Sequence, residues 1–210
     1  MSTELILICH GQSVRREENR LLGWWSDVSL SPKGRQQALL LGERLQSSYD
    51  IQSVFTSPLT RARETANLIG DMVRVVPTVE TSLRELDAGA LSRLSYEEAK
   101  VRFPDVILRG KSSGEGHIPG GESYADLHRR VAWGLERIIA QCLNQQIAVV
   151  THGGPIVTYL RSFLGYESDQ RNKPRFICDV ASVHHLKIDE DGEKTVFCLN
   201  DSAHLAEMPE

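Results

Sequence analysis

Two short runs in this chain offer almost nothing that a half-solvated strand would turn toward water. Leu5-Ile6-Leu7-Ile8-Cys9 and Ile147-Ala148-Val149-Val150-Thr151 are apolar at odd and even positions alike, apart from the final threonine. Strands of that kind are buried on both faces, which is the situation of central strands in a parallel sheet. Each run is followed at once by His-Gly: His10-Gly11 after the first and His152-Gly153 after the second.

The rest of the chain reads as alternating strands and helices. Ser31-Pro32 is a cap followed by a first-turn proline, and Ala38, Leu41 and Leu45 continue it as one apolar stripe. Residues 51–56 read as a second strand. Ser57-Pro58 behind it reads as another cap-and-proline helix start. A short third strand is expected at 73–76, a short helix at 95–102, and a Gly/Ser-rich loop at 110–121. Leu127, Val131, Leu135, Ile138 and Cys142 predict a long amphipathic helix over 123–144. Gly153-Gly154-Pro155 opens a further helix. Two late strands at 181–188 and 195–199 flank a turn and would supply an antiparallel edge. The expected fold class is an α/β three-layer sandwich, mostly parallel, with helices on both faces of the sheet. At 210 residues a single domain over 1–210 is expected, with a lid or substrate segment at 86–121.

A net charge of −4, with 25% charged and 40% hydrophobic residues, suits a globular chain and excludes long-range attraction to nucleic acid or acidic lipid. The apolar stretch near the start is too short for a signal or membrane-spanning helix. Cys9, Cys142, Cys178 and Cys198 are widely spaced with no CxxC pair, against both a zinc site and a disulfide framework. The expected location is the cytoplasm.

Three strand ends carry polar residues of one chemical kind. The first ends at Cys9-His10-Gly11, the second at Ser57-Pro58 with Arg61 one turn on, the third at His152-Gly153-Gly154. In open α/β sheets the ligand crevice lies beyond the carboxyl ends of the strands, and helix N-termini there favour an anion. Two imidazoles and a guanidinium around one anionic group is the expected arrangement.

These segments resemble the histidine phosphatase superfamily, in the branch of the cofactor-dependent phosphoglycerate mutases and small broad-specificity phosphatases. The resemblance is carried by six segments in order. They are His10-Gly11-Gln12-Ser13 with Gly23 and residues 30–38; Ser57-Pro58-Leu59-Thr60-Arg61-Ala62-Arg63-Glu64; Leu83-Arg84-Glu85; Pro119-Gly120-Gly121-Glu122-Ser123; Thr151-His152-Gly153-Gly154; and Asn200-Asp201-Ser202-Ala203-His204. It implies His10 as the nucleophile, Glu85 as the acid and then base, and His152 as the third catalytic residue. Arg61, Gly11 and Gly153 would bind phosphate, with Ser13 and Gly23 toward the substrate. No metal and no cofactor are implied, because cationic donors stabilise the transferring phosphoryl group. A small phosphorylated metabolite would be the partner, with no nucleic acid and no membrane; a homodimer is compatible with the sequence.

The departure is Cys9, where the family carries a phosphate-binding arginine. Losing that contact costs about 3 kcal/mol, or roughly a hundredfold in rate, if nothing replaces it. Arg16, standing where the family has an asparagine, is the expected replacement and joins the phosphate-binding set. A thiol nucleophile at Cys9 with His152 as base is the competing reading, but a cysteine ending a buried strand is usually inert. Trp24 and Trp25 either cap the substrate or pack in the core, and His117 and Glu122 are candidates to support the leaving group. The expected function is hydrolysis of a small phosphomonoester. The alternatives are a mutase, disfavoured because only 36 residues separate Glu85 from Glu122, and a weak member that binds a phosphorylated ligand or partner.

Overall fold

The computed structural model describes residues 2–14, 27–92, 94–105, 118–166 and 174–208. Its strands are β1 (Ser2–Cys9), β2 (Ile51–Thr56), β3 (Thr78–Val79), β4 (Gln146–Thr151), β5 (Val183–Asp189) and β6 (Lys194–Asp201). They form one sheet in the order β3-β2-β4-β1-β5-β6. β1 pairs in parallel with β4, and β4 with β2, so the two all-apolar runs lie side by side at the centre. β5 and β6 add the antiparallel edge.

Alternation along the central strands divides the interior in two. Leu5, Leu7, Cys9, Ile147 and Val149 face a cluster completed by α4 (Tyr124–Gln141) and α5 (Gly153–Phe163). Ile6, Ile8, Ala148 and Val150 face one completed by α1 (Pro32–Ser48) and α2 (Thr60–Val73). Helices therefore cover both faces, as a sheet without a wet side requires. The short α3 (Tyr96–Arg102) is held by a capping box between Ser95 and Glu98. No helix among the described residues is long and apolar enough to cross a membrane.

Two expected elements differ. α2 begins at Thr60, not at Ser57-Pro58. Its cap residue Leu59 makes no side-chain bond, and the Thr60 N–H is taken by Asp27 Oδ1 instead. The expected strand at 73–76 is absent because α2 runs on to Val73 and Arg74 ends it in the left-handed region (φ 60°). The edge pairing is made by Thr78 and Val79 against Phe55 and Thr56. Valine content suggested a strand there; Ile69 and Gly70, buried on the helix face, outweighed it.

This topology makes a crevice. The chain leaves β1 for α1 on one face and leaves β4 for α5 on the other. Adjacent parallel strands whose following helices diverge form a switch point, and its lips are residues 10–13 and 152–154.

Candidate active site

His10 stands just past the end of β1 and is 7% exposed. Its Nδ1 is 2.7 Å from the Gly11 carbonyl, which can only accept, so Nδ1 carries the hydrogen. Arg61 Nε, which can only donate, lies 3.0 Å from His10 Nε2. The tautomer is therefore fixed: Nε2 presents a lone pair, steered by a guanidinium. Arg61 comes from the first turn of α2 and is 2% exposed. Burial lowers its pKa, with Glu85, Cys9 and Asp27 opposing, yet a guanidinium remains charged.

His152 caps α5 without a side-chain cap bond. Its ring lies edge-on to that of His10, with centroids 5.0 Å apart. Ser57 Oγ accepts from Leu59 N at 3.3 Å and meets His152 Nε2 at 2.8 Å. The other ring nitrogen, Nδ1, is a buried atom that has no partner among the described residues. Burial first, then the positive charges of Arg61, His10 and Arg130, hold the His152 pKa well below the ordinary imidazole value. The ring is thus uncharged at neutral pH, with one buried nitrogen left over. An unpartnered buried polar atom costs about 1–3 kcal/mol, which an incoming oxygen would recover.

Glu85 closes the third side. Its Oε1 accepts from Leu86 N at 2.9 Å, and its Oε2 faces Gly154 N at 3.4 Å. Burial of the carboxyl raises its pKa and outweighs the Leu86 N–H, the Arg61 charge and the Gly154 N–H, while Cys178 adds to the rise. Gly154 leaves room for this carboxyl, since a Cβ would lie 2.2 Å from Glu85 Oε1. Gly153, at the first position of α5, presents a first-turn N–H that the helix itself cannot satisfy.

Gly11 has a packing role in the structure. Its N–H donates to Thr65 Oγ1 at 3.1 Å, and a Cβ would meet the Gly34 carbonyl at 2.5 Å. It lets the strand end lie flat against α1. Ser13 is fully buried, bridges to Leu30, and has a hydroxyl without a partner among the described residues. Arg16, Gly23, Trp24, Trp25 and His117 lie outside the described residues, as does much of the expected lid.

Glu122, a candidate to support the leaving group, is paired with Arg130. It takes both ends of the Arg130 guanidinium, at 2.8 and 2.6 Å, and Arg130 also donates to the carbonyls of Ser82 (2.6 Å), Arg84 (2.9 Å) and Glu85 (3.4 Å). Arg130 thereby fixes the loop that carries Glu85. It was invisible in the sequence, where it reads as one more polar residue on the wet face of an amphipathic helix. Ser57 was visible only as a supposed helix cap. His204 pairs with Arg44 Nη1 at 3.2 Å, beside Asp201, so it braces α1 against β6.

The model of the histidine phosphatase superfamily (branch 1) matches residues 5–201. The chain belongs to that superfamily. The phosphatase fold also aligns with solved structures: that of YhfR from Bacillus stearothermophilus has a TM-score of 0.87 at 27% identity, covering 97% of this chain and 99% of that one. Among curated relatives, phosphoserine phosphatase 1 of Hydrogenobacter thermophilus is 30% identical over 206 residues, covering 98% of this chain and 95% of its own. A bifunctional protein of Mycobacterium tuberculosis is 32% identical over 203 residues, 97% of this chain; the match spans only 55% of that longer protein.

Proposed function

We propose that this histidine phosphatase hydrolyses a small phosphomonoester in the cytoplasm, without a metal, through a phosphohistidine on His10. The observation that carries the reading is the fixed His10 tautomer, with its Nε2 lone pair 3.0 Å from Arg61 Nε and the His152 ring at 5.0 Å. Nε2, released from the Arg61 N–H as that guanidinium turns to the phosphate, attacks phosphorus as the ester P–O bond breaks, and Glu85, protonated at higher pH than an ordinary carboxyl, gives its proton to the departing alkoxide. Water then attacks the phosphohistidine, Glu85 takes a proton back, and phosphate leaves. Arg61, the Gly153 N–H and His152 Nδ1 stabilise the equatorial oxygens, where preorganised donors are most effective. Phosphoserine phosphatase among the relatives makes small phosphorylated metabolites the substrate class to test first.

Arg16 is assigned to the phosphate as well, supplying the charge that Cys9 does not. A mutase is the weaker reading because the 86–121 segment is short, and its turnover would depend on a bisphosphate primer. The test is a phosphate-release screen across a metabolite panel, run beside His10→Ala. Turnover of one or a few monoesters without primer, lost in His10→Ala, supports the proposal; turnover that persists in His10→Ala overturns it.

A further inference from the structure

Cys9 and Cys178 meet beside the nucleophile. The 178–182 segment turns back on itself, with Ser182 N donating to Asp179 O at 3.2 Å, and lies along the end of β1. Cys9 N donates to Ser182 O at 3.1 Å, and Ala181 N to the His10 carbonyl at 3.0 Å. Cys178 packs against the same core cluster that buries Cys9, and its Sγ lies 4.0 Å from the Oγ of Ser182, the residue whose carbonyl takes the Cys9 N–H. The Cys178 side chain also reaches the start of α5: a Cβ on Gly153 would lie 3.8 Å from Cys178 Cβ and 4.0 Å from its Sγ. Cys9 is 4% exposed, while Cys178 is only partly covered.

The surroundings favour a sulfur anion at Cys178. His184 is fully buried, and its Nδ1 accepts from Asn200 N at 3.1 Å, so Nε2 carries a hydrogen whatever the ring's charge. That Nε2 is 3.4 Å from Ser182 Oγ. The Ser182 hydroxyl is committed to the Asp179 carbonyl at 2.7 Å. The neighbouring Cys9 thiol is the largest influence lowering the Cys178 pKa, aided by His184 and opposed by burial.

We propose that Cys178 and Cys9 form an oxidisable pair that closes into a disulfide across the floor of the phosphoryl pocket. A hydroperoxide accepts two electrons from the Cys178 sulfur; its O–O bond breaks, leaving a sulfenic acid on Cys178 and one molecule of alcohol or water. The Cys9 thiol then attacks that sulfur, the S–O bond breaks, and water leaves with the Cys9 proton. Peroxide is the only oxidant required. The new bond ties the residue before the nucleophile to the wall beside Gly153. Its effect on turnover rests on the phosphatase reading above, but its formation does not.

The test treats the reduced protein with hydrogen peroxide and follows intact mass, free thiols, the cross-linked peptides and turnover together. The expected result is loss of two hydrogens, loss of two of the four thiols, and a peptide joining residues 9 and 178. Cys178 should react roughly three- to tenfold faster than Cys142 or Cys198, because a lowered pKa raises the thiolate fraction more than it dulls the sulfur. Turnover should fall by about tenfold or more as His10 is displaced, and thiol reductant should restore it. Cys9→Ser should leave a sulfenic acid on Cys178 that dimedone traps, and Cys178→Ser should leave Cys9 reduced. Retention of all four thiols, faster oxidation of Cys142 or Cys198, or a link between two molecules would overturn the proposal. The mass and thiol readouts decide it even for a protein that hydrolyses nothing.

Discussion

Gly154→Ala is the sharpest test of the role given to Glu85. The added Cβ would lie 3.2 Å from Glu85 Cδ and 2.2 Å from its Oε1, the latter more than 1 Å inside the ~3.5 Å of an ordinary contact. The other side is backbone of α5, so the carboxyl has to swing away. It then gives up the Leu86 N–H at 2.9 Å and the Gly154 N–H at 3.4 Å. Two such bonds to an ionisable group are worth about 2–3 kcal/mol together. If that energy positions the acid in the transition state, kcat/KM falls roughly 30- to 150-fold. The loss must depend on the leaving group. An alkyl phosphate needs a proton as its alkoxide departs, while p-nitrophenyl phosphate leaves as a stable anion. Kinetics on both esters, with a thermal melt to show the variant is folded, should give the full loss on the alkyl ester and only a few-fold loss on the aryl ester. Equal losses on the two, or none on either, would refute the reasoning.

Glu85→Gln tests the same carboxyl through stability. Because its folded pKa is raised by burial, the native state holds that proton more tightly than the unfolded chain, and stability drains as pH rises through the window above about 4.3. Glu85→Gln should therefore raise Tm at pH 7 and change it little at pH 4; a lower Tm at pH 7 would contradict the assignment. Arg130→Ala strands Glu122, whose pair with Arg130 is under one-fifth exposed, and should cost about 2–4 kcal/mol. It should lower kcat more than it raises KM, and Arg130→Ala combined with Glu122→Ala should cost less than the sum. Arg16→Ala should cripple turnover far more than Arg15→Ala, by about a hundredfold in kcat/KM if Arg16 supplies the missing phosphate contact; equal, small effects would refute that role.

Much of this was legible because burial on both faces leaves a plain mark. Leu5 to Cys9 and Ile147 to Thr151 had no side to turn toward water, and they are the central pair. Ser31 was readable as a cap because its hydroxyl serves its own helix, accepting from Gly34 N at 3.1 Å. Ser57 misled for the converse reason: its hydroxyl turns to His152, a partner 95 residues away. The four-point grip of Arg130 is likewise a contact across the fold, and no local period encodes it. Gly154 looked like turn chemistry, and only the fold shows that a side chain there would displace the Glu85 carboxyl.

The central claim is tested most directly by rapid acid-free quenching of the enzyme during turnover, followed by mapping of the bound phosphate. A phosphoryl group on His10, stable in alkali, lost in acid and absent from His10→Ala, is the predicted result. A phosphoryl group on another side chain, or steady turnover with His10 never modified, would contradict it.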